Sequence, residues 1–157
     1  MSTQTTFKVE HITLQPQDGL AIRETVPMDA LPAFFGRAFA ELGAYISQHG
    51  AGFAGPPFAQ YHSVTPAAVD VEAVFPLASP IEGSGPMQPV SLSGGPAVQV
   101  LHTGPYDSLM PVYDAITAWL AENAKSPSEP IREVYLTDPG SVPDPAQWQT
   151  LVIQPYE

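Results

Sequence analysis

The sequence predicts an α+β domain in which a strand–helix–strand–strand unit is written twice, with two long helices packed on an antiparallel sheet. Three observations carry this. Two stretches repeat apolar residues at three- and four-residue spacing, each follows a strand-like run, and each leads into a proline-led strand and then a further strand. Helices of that kind cover one face of a strand set, so the copies share one core about a pseudo-two-fold axis. A central pocket is expected near that axis, where the uncovered sheet faces meet. The chain reads as one domain over 1–157, with repeat one at about 7–76 and repeat two at about 87–156.

Taken in order, Phe7 to Leu14 reads as a leading strand of the first copy and Leu20 to Val26 as the next strand. Leu31, Phe34, Phe35, Ala38, Phe39, Leu42, Tyr45 and Ile46 form one helical stripe. Asp29 is placed to cap that helix, Pro32 lies in its first turn and Gly50 ends it. Pro57 to Val64 and Val69 to Phe75 follow as strands, the second alternating Val, Ala and Phe with Asp70 and Glu72. Pro76 to Pro96 is a Pro-, Gly- and Ser-rich connection in which Ser91 and Leu92 mark a short counterpart of the leading strand.

The second copy repeats the layout. Ala97 to Thr103 is a strand, and Asp107 or Ser108 caps a helix with Pro111 in its first turn. Leu109, Val112, Tyr113, Ile116, Trp119 and Leu120 make its stripe. Pro130 to Thr137 and Trp148 to Ile153 are the last strands, joined by a loop over 138–147 rich in turn residues.

Composition narrows the function classes. Sixteen acids against five bases give a net charge of −11, which opposes nucleic-acid binding and favours cationic ligands at long range. The charged fraction is only 13%, so much of the surface is neutral or apolar. With no cysteine, disulfides, thiolate metal sites and cysteine nucleophiles are excluded. No long apolar run suits a membrane span and no secretion signal is visible, so a cytoplasmic location is the expectation. His11, His49, His62 and His102 lack metal-ligand spacing, and no glycine-rich phosphate loop or nucleophile elbow is present. No metal and no cofactor are expected.

The strand Ile131-Arg132-Glu133-Val134-Tyr135-Leu136 holds the strongest site candidate. Alternation puts Glu133 and Tyr135 on one face, with Val134 and Leu136 on a second, core-like face and Arg132 turned away from Glu133. If Tyr61 is matched to Tyr135 across the copies, Tyr61, Glu133, Tyr135 and Trp148 line one cavity. A carboxylate among aromatics offsets the desolvation of a lipophilic cation, and each ring adds roughly 0.5–2 kcal/mol of cation–π attraction. Left empty, such a carboxyl has a raised pKa.

Four segments carry a family resemblance: Pro57-Phe58-Ala59-Gln60-Tyr61-His62, Asp70-Val71-Glu72, His102-Thr103-Gly104-Pro105-Tyr106-Asp107 and Glu133-Val134-Tyr135-Leu136-Thr137-Asp138-Pro139. Together they resemble the GyrI-like small-molecule-binding family, the effector-binding domain of AraC- and MerR-type multidrug-responsive regulators, over roughly Val9 to Tyr156. The resemblance implies a duplicated fold with a central pocket for hydrophobic, often cationic compounds. It implies that Glu133 faces the ligand, that Tyr135 and Trp148 line the pocket, and, more loosely, that Tyr61 and Tyr106 do so. The spacing from Pro130 to Glu133 is one residue longer than the family's usual pattern, and the sequence shows no helix-turn-helix. The expected role is therefore a stand-alone sensor or sequestering protein, with a protein partner as a further possibility. The alternative is a hydrolase of strained cyclopropane-type electrophiles, with Glu133 as general base and Tyr61 or Tyr135 as its partner. Haem binding through His62 or His102 is a lesser reading implied by a related fold.

Overall fold

The structure is a computed structural model that describes residues 8–105, 108–137 and 141–157. Its elements run β1 (Glu10–Leu14), β2 (Gln17–Val26), α1 (Leu31–Gln48), β3 (Phe58–Val64), β4 (Val69–Pro76), β5 (Gln88–Leu92), β6 (Gly95–Thr103), α2 (Met110–Glu122), β7 (Ile131–Tyr135) and β8 (Gln149–Pro155). The eight strands form one antiparallel sheet in the order β1-β6-β8-β7-β3-β4-β2-β5. That order reads the same from either edge once β1–β4 are exchanged for β5–β8, so the duplication is real and its axis passes between β3 and β7.

One detail departs from the sequence reading. Each copy's leading strand pairs with the other copy: β1 lies on β6, and β5 lies on β2. Only Gln15 and Pro16 link β1 to β2, and only Ser93 and Gly94 link β5 to β6. Two residues span little distance, yet each link joins one edge of the sheet to the strand next to the opposite edge. The sheet must therefore curl toward a half-barrel.

Both helices lie on one face of the sheet. In α1 the buried positions Phe34, Ala38, Leu42 and Ile46 recur every four residues and pack on Leu20, Ile22, Val69, Val71 and Ala73. In α2, Val112, Ile116 and Leu120 pack on Val98, Val100 and Val152. A smaller cluster of Ala21, Phe58, Val74 and Leu92, joined by Val134, lies on the opposite face.

The helix starts correct the predicted caps. Asp29 lies in a short 3-10 turn, Met28–Ala30, and α1 begins without a side-chain cap. Ser108 does not cap α2 either, because its hydroxyl donates to the Pro105 carbonyl at 2.8 Å. Asp107, the other candidate cap, lies outside the described residues. Proline in the first turn of each helix removes one of the amide donors that a cap would serve. Gly50 follows α1 at φ +67°, a left-handed backbone that glycine adopts without strain. Leu136, expected in the core, falls past the end of β7 and is 42% exposed. No helix among the described residues is long and apolar enough to cross a membrane.

Candidate functional site

Residues directly opposite one another in a sheet share a face, so the ladders define rows across the strands. One row runs Val100, Val152, Glu133, Ala59, Ala73, Ile22 through six strands. Every member except Glu133 is apolar and no more than 1% exposed; Glu133 itself is 7% exposed. A carboxylate at this depth loses most of its hydration and must find donors.

Three tyrosines supply them. Tyr135, two residues on in β7, donates to Oε1 at 3.1 Å, and Tyr61 of β3 donates to the same oxygen at 3.3 Å. The two phenol oxygens are 3.4 Å apart. Tyr113, from the first turns of α2, donates to Oε2. Burial raises the Glu133 pKa, and the Tyr135 and Tyr61 hydrogen bonds oppose that rise by favouring the charged form. Burial also pushes the Tyr135 phenol well above its ordinary value, with Tyr61 and Glu133 adding to the shift.

Aromatic rings extend from this cluster on the α1 side. Phe35 and Phe39 meet the Tyr135 ring edge-on, with centroids 5.8 and 6.1 Å away. Phe39 in turn meets Phe75, and Phe75 meets Phe53, which is 48% exposed. A chain of rings thus leads from Glu133 to the surface. On the opposite face Arg132 pairs with Glu129 at 3.0 Å and lies over the Phe58 ring, so it leaves the Glu133 charge unneutralised.

Residues 7–157 match the GyrI-like small molecule binding domain family. The chain belongs to that family.

Solved structures share the fold of this GyrI-like domain. EcmrR, in a cryo-EM complex with DNA, superposes with a TM-score of 0.84 at 22% identity, over 96% of this chain and 57% of that one. The chain therefore spans little more than half of EcmrR. A hydrolase from Listeria innocua matches at TM-score 0.67 and 15% identity, over 96% and 92% of the two chains. SAV2435, solved with tetraphenylphosphonium bound, matches at TM-score 0.65 and 8% identity, over 98% and 94%. No match was found among curated proteins.

Within this GyrI-like domain, Tyr61, Glu133 and Tyr135 come together as one hydrogen-bonded group. They occupy the helix-covered face of the sheet rather than the uncovered faces where a pocket is expected, and both helices reach them. Trp148 lies just before β8, where its indole N–H donates to the Val142 carbonyl at 2.6 Å and its carbonyl accepts from Gly104 N–H at 2.8 Å. Tyr106 lies outside the described residues. His62 sits at a register shift in β3 and bonds Glu72 at 2.9 Å, away from the tyrosines. Among the described residues no group of three potential metal ligands occurs. Sequence reasoning assigned Tyr113, Phe35 and Phe39 only to helix stripes. The signal that could have singled out Tyr113 is a hydroxyl on an otherwise apolar stripe, which must find a partner when buried.

Proposed function

We propose that this domain binds lipophilic cations, with Glu133 as counter-charge and the Phe35–Phe39–Tyr135 rings as walls. The observation that supports it most is Glu133 itself, a carboxyl held on a buried apolar row by neutral phenols and, among the described residues, by no cation. Such a group gives up little hydration when a cation arrives, and the tyrosine hydroxyls can turn to accommodate it. Ala59 and Ala73 beside Glu133 keep the sheet floor low where a ring would lie. The tetraphenylphosphonium bound by SAV2435 is a ligand of this chemistry. Sensing or sequestration are the roles such binding serves.

Titration calorimetry with tetraphenylphosphonium tests the reading. Wild type is expected to bind, and Glu133→Gln to lose affinity 10-fold or more, about 1.4 kcal/mol, with an unchanged circular dichroism spectrum. Equal affinity in the two proteins would remove Glu133 from the site.

A second reading has its own observation. Two phenols share Glu133 Oε1, an arrangement that can hold a water between a carboxylate base and a strained electrophile. The likeness to the Listeria innocua hydrolase supports it. Product analysis with a cyclopropane-bearing electrophile decides: turnover abolished in Glu133→Gln supports a hydrolase, whereas binding without turnover leaves the domain a binder.

A further inference from the structure

Next to Glu133's row lies a second one, Tyr135, Thr150, His102, on β7, β8 and β6. Thr150 is fully buried and its hydroxyl has no partner. His102 is 4% exposed, and its Nδ1 also has none. These are two of the three such buried atoms among the described residues, and they belong to directly opposed side chains. Buried polar atoms are nearly always paired, so two orphans side by side call for an occupant.

The chemistry of that occupant follows from the histidine tautomer. Ser108 Oγ donates its proton to the Pro105 carbonyl, so His102 Nε2, 3.0 Å from Ser108 Oγ, is the donor to it. Nδ1 is then a bare acceptor. Burial lowers the His102 pKa and so favours this neutral form. Thr150 Oγ1 can both donate and accept. The pair is complementary to a neutral group that carries a hydrogen.

The first copy shows that the fold does not need this arrangement. The matching row there is Tyr61, Val71, Glu24. Val71 is apolar core, and Glu24 is paired with Arg37 at 2.8 Å. Where copy one is satisfied, copy two keeps two buried polar atoms without partners in the row of Tyr135.

We infer that Thr150 and His102 form a hydrogen-bonding subsite that takes a hydroxyl or amide N–H of the bound molecule. This rests on the proposed binding at Glu133 and sharpens its ligand class: an aromatic compound that carries a neutral hydrogen-bond donor beyond Tyr135.

The test is a matched pair of probes, tetraphenylphosphonium and (4-hydroxyphenyl)triphenylphosphonium, titrated into wild type, Thr150→Val and Thr150→Ser. The expected result is at least five-fold tighter binding of the phenol by wild type. That preference should vanish in Thr150→Val and persist in Thr150→Ser, while the parent cation binds all three alike. No preference in wild type, or one that survives in Thr150→Val, overturns the subsite. Thr150→Val copies Val71, so it is expected to fold, and circular dichroism checks this. If neither phosphonium binds wild type, cation binding at Glu133 falls, and biphenyl against 4-hydroxybiphenyl still tests the subsite. A preference for the hydroxylated compound lost in Thr150→Val then supports it; equal binding, or none, overturns it.

Discussion

Ala59 and Glu133 occupy the same place in the two copies of this fold, and what surrounds them differs in kind. The ladders that set Tyr61 against Tyr135 also set the row Ala59, Ala73, Ile22 against Glu133, Val152, Val100. The buried helix positions Phe34, Ala38 and Leu42 correspond to Val112, Ile116 and Leu120, which puts Phe35 where Tyr113 stands in the other copy. Toward the axis copy one presents Ala59, Phe35 and one phenol, Tyr61, whereas copy two presents an acid, two phenols (Tyr135 and Tyr113), a threonine and a histidine. The duplicated scaffold supplies a symmetric frame. A few substitutions in one half place an acid and its donors there, beside Phe35, Phe39 and Tyr61 of copy one.

The largest effect should come from making copy one resemble copy two at the axis. Ala59 is directly opposite Glu133, so Ala59→Glu sets two buried carboxyls side by side. Like charges at such a cross-strand pair, without cationic partners, are expected to cost about 3–5 kcal/mol at neutral pH. For a chain of this length that lowers Tm by roughly 10 °C. The loss should shrink at pH 4, where the pair keeps protons. A melt at pH 7.5 no different from wild type would mean that the two positions do not face each other.

How much of this was legible in the sequence follows from which signals are local. The stripes on α1 and α2 and the alternation in β4 gave the duplicated unit, because burial imposes its period on a single element. Alternation also placed Glu133 with Tyr135 and turned Arg132 away, and matching Tyr61 to Tyr135 agrees with the ladders. The exchange of β1 and β5 was not legible, because strand pairing depends on partners distant in sequence. Nor was Tyr113. Its stripe position predicts burial, but only the curl of the sheet shows that the nearest group below it is a carboxylate. The caps failed for a simpler reason: Asp29 and Ser108 are good capping residue types, yet each is committed to a neighbouring turn or carbonyl.

Removing the extra phenol from copy two should have the next largest effect. Tyr113→Phe gives the second copy the residue found at Phe35 and takes one donor from Glu133 Oε2. A hydrogen bond to a charged group contributes about 1.5–3 kcal/mol, so a loss of that order is expected in urea unfolding at pH 7.5. At pH 4, with Glu133 protonated, the loss should be smaller, so the two pH values give different answers. The same small loss at both would show that Tyr113 only packs.

Acid titration separates the copies further. Glu24 and Asp70, in copy one, are half-buried carboxylates lowered by hydrogen bonds to Arg37 and Arg23. Their modest stabilisation is present above the ordinary carboxylate range and lost as pH falls through the lowered values. Glu133 has the opposite sign. Its folded pKa is raised, so from about pH 4.5 upward the unfolded chain gives up this proton while the folded one keeps it, and stability falls with rising pH. The stability of wild type relative to Glu133→Gln should therefore decline with pH from about 4.5 until the raised pKa is passed, then level off. A difference that is flat, or rises with pH, would show that the tyrosine hydrogen bonds outweigh burial.

The smallest effect tests the row beside it. Thr150→Val gives copy two the residue that copy one carries at Val71, removing a buried hydroxyl that has no partner. Leaving such a group unpaired costs about 1–3 kcal/mol, and the near-isosteric valine leaves no cavity. Without ligand the variant should therefore be more stable by about 1 kcal/mol, raising Tm by a few degrees in a thermal melt. The sign is informative. A protein that keeps a water between Thr150 and His102 already has both atoms satisfied, and Thr150→Val would then lower Tm by stripping a partner from that water. A stabilised variant that also loses its preference for hydroxylated ligands would show that copy two gives up stability in the empty state to keep two polar atoms open for a ligand.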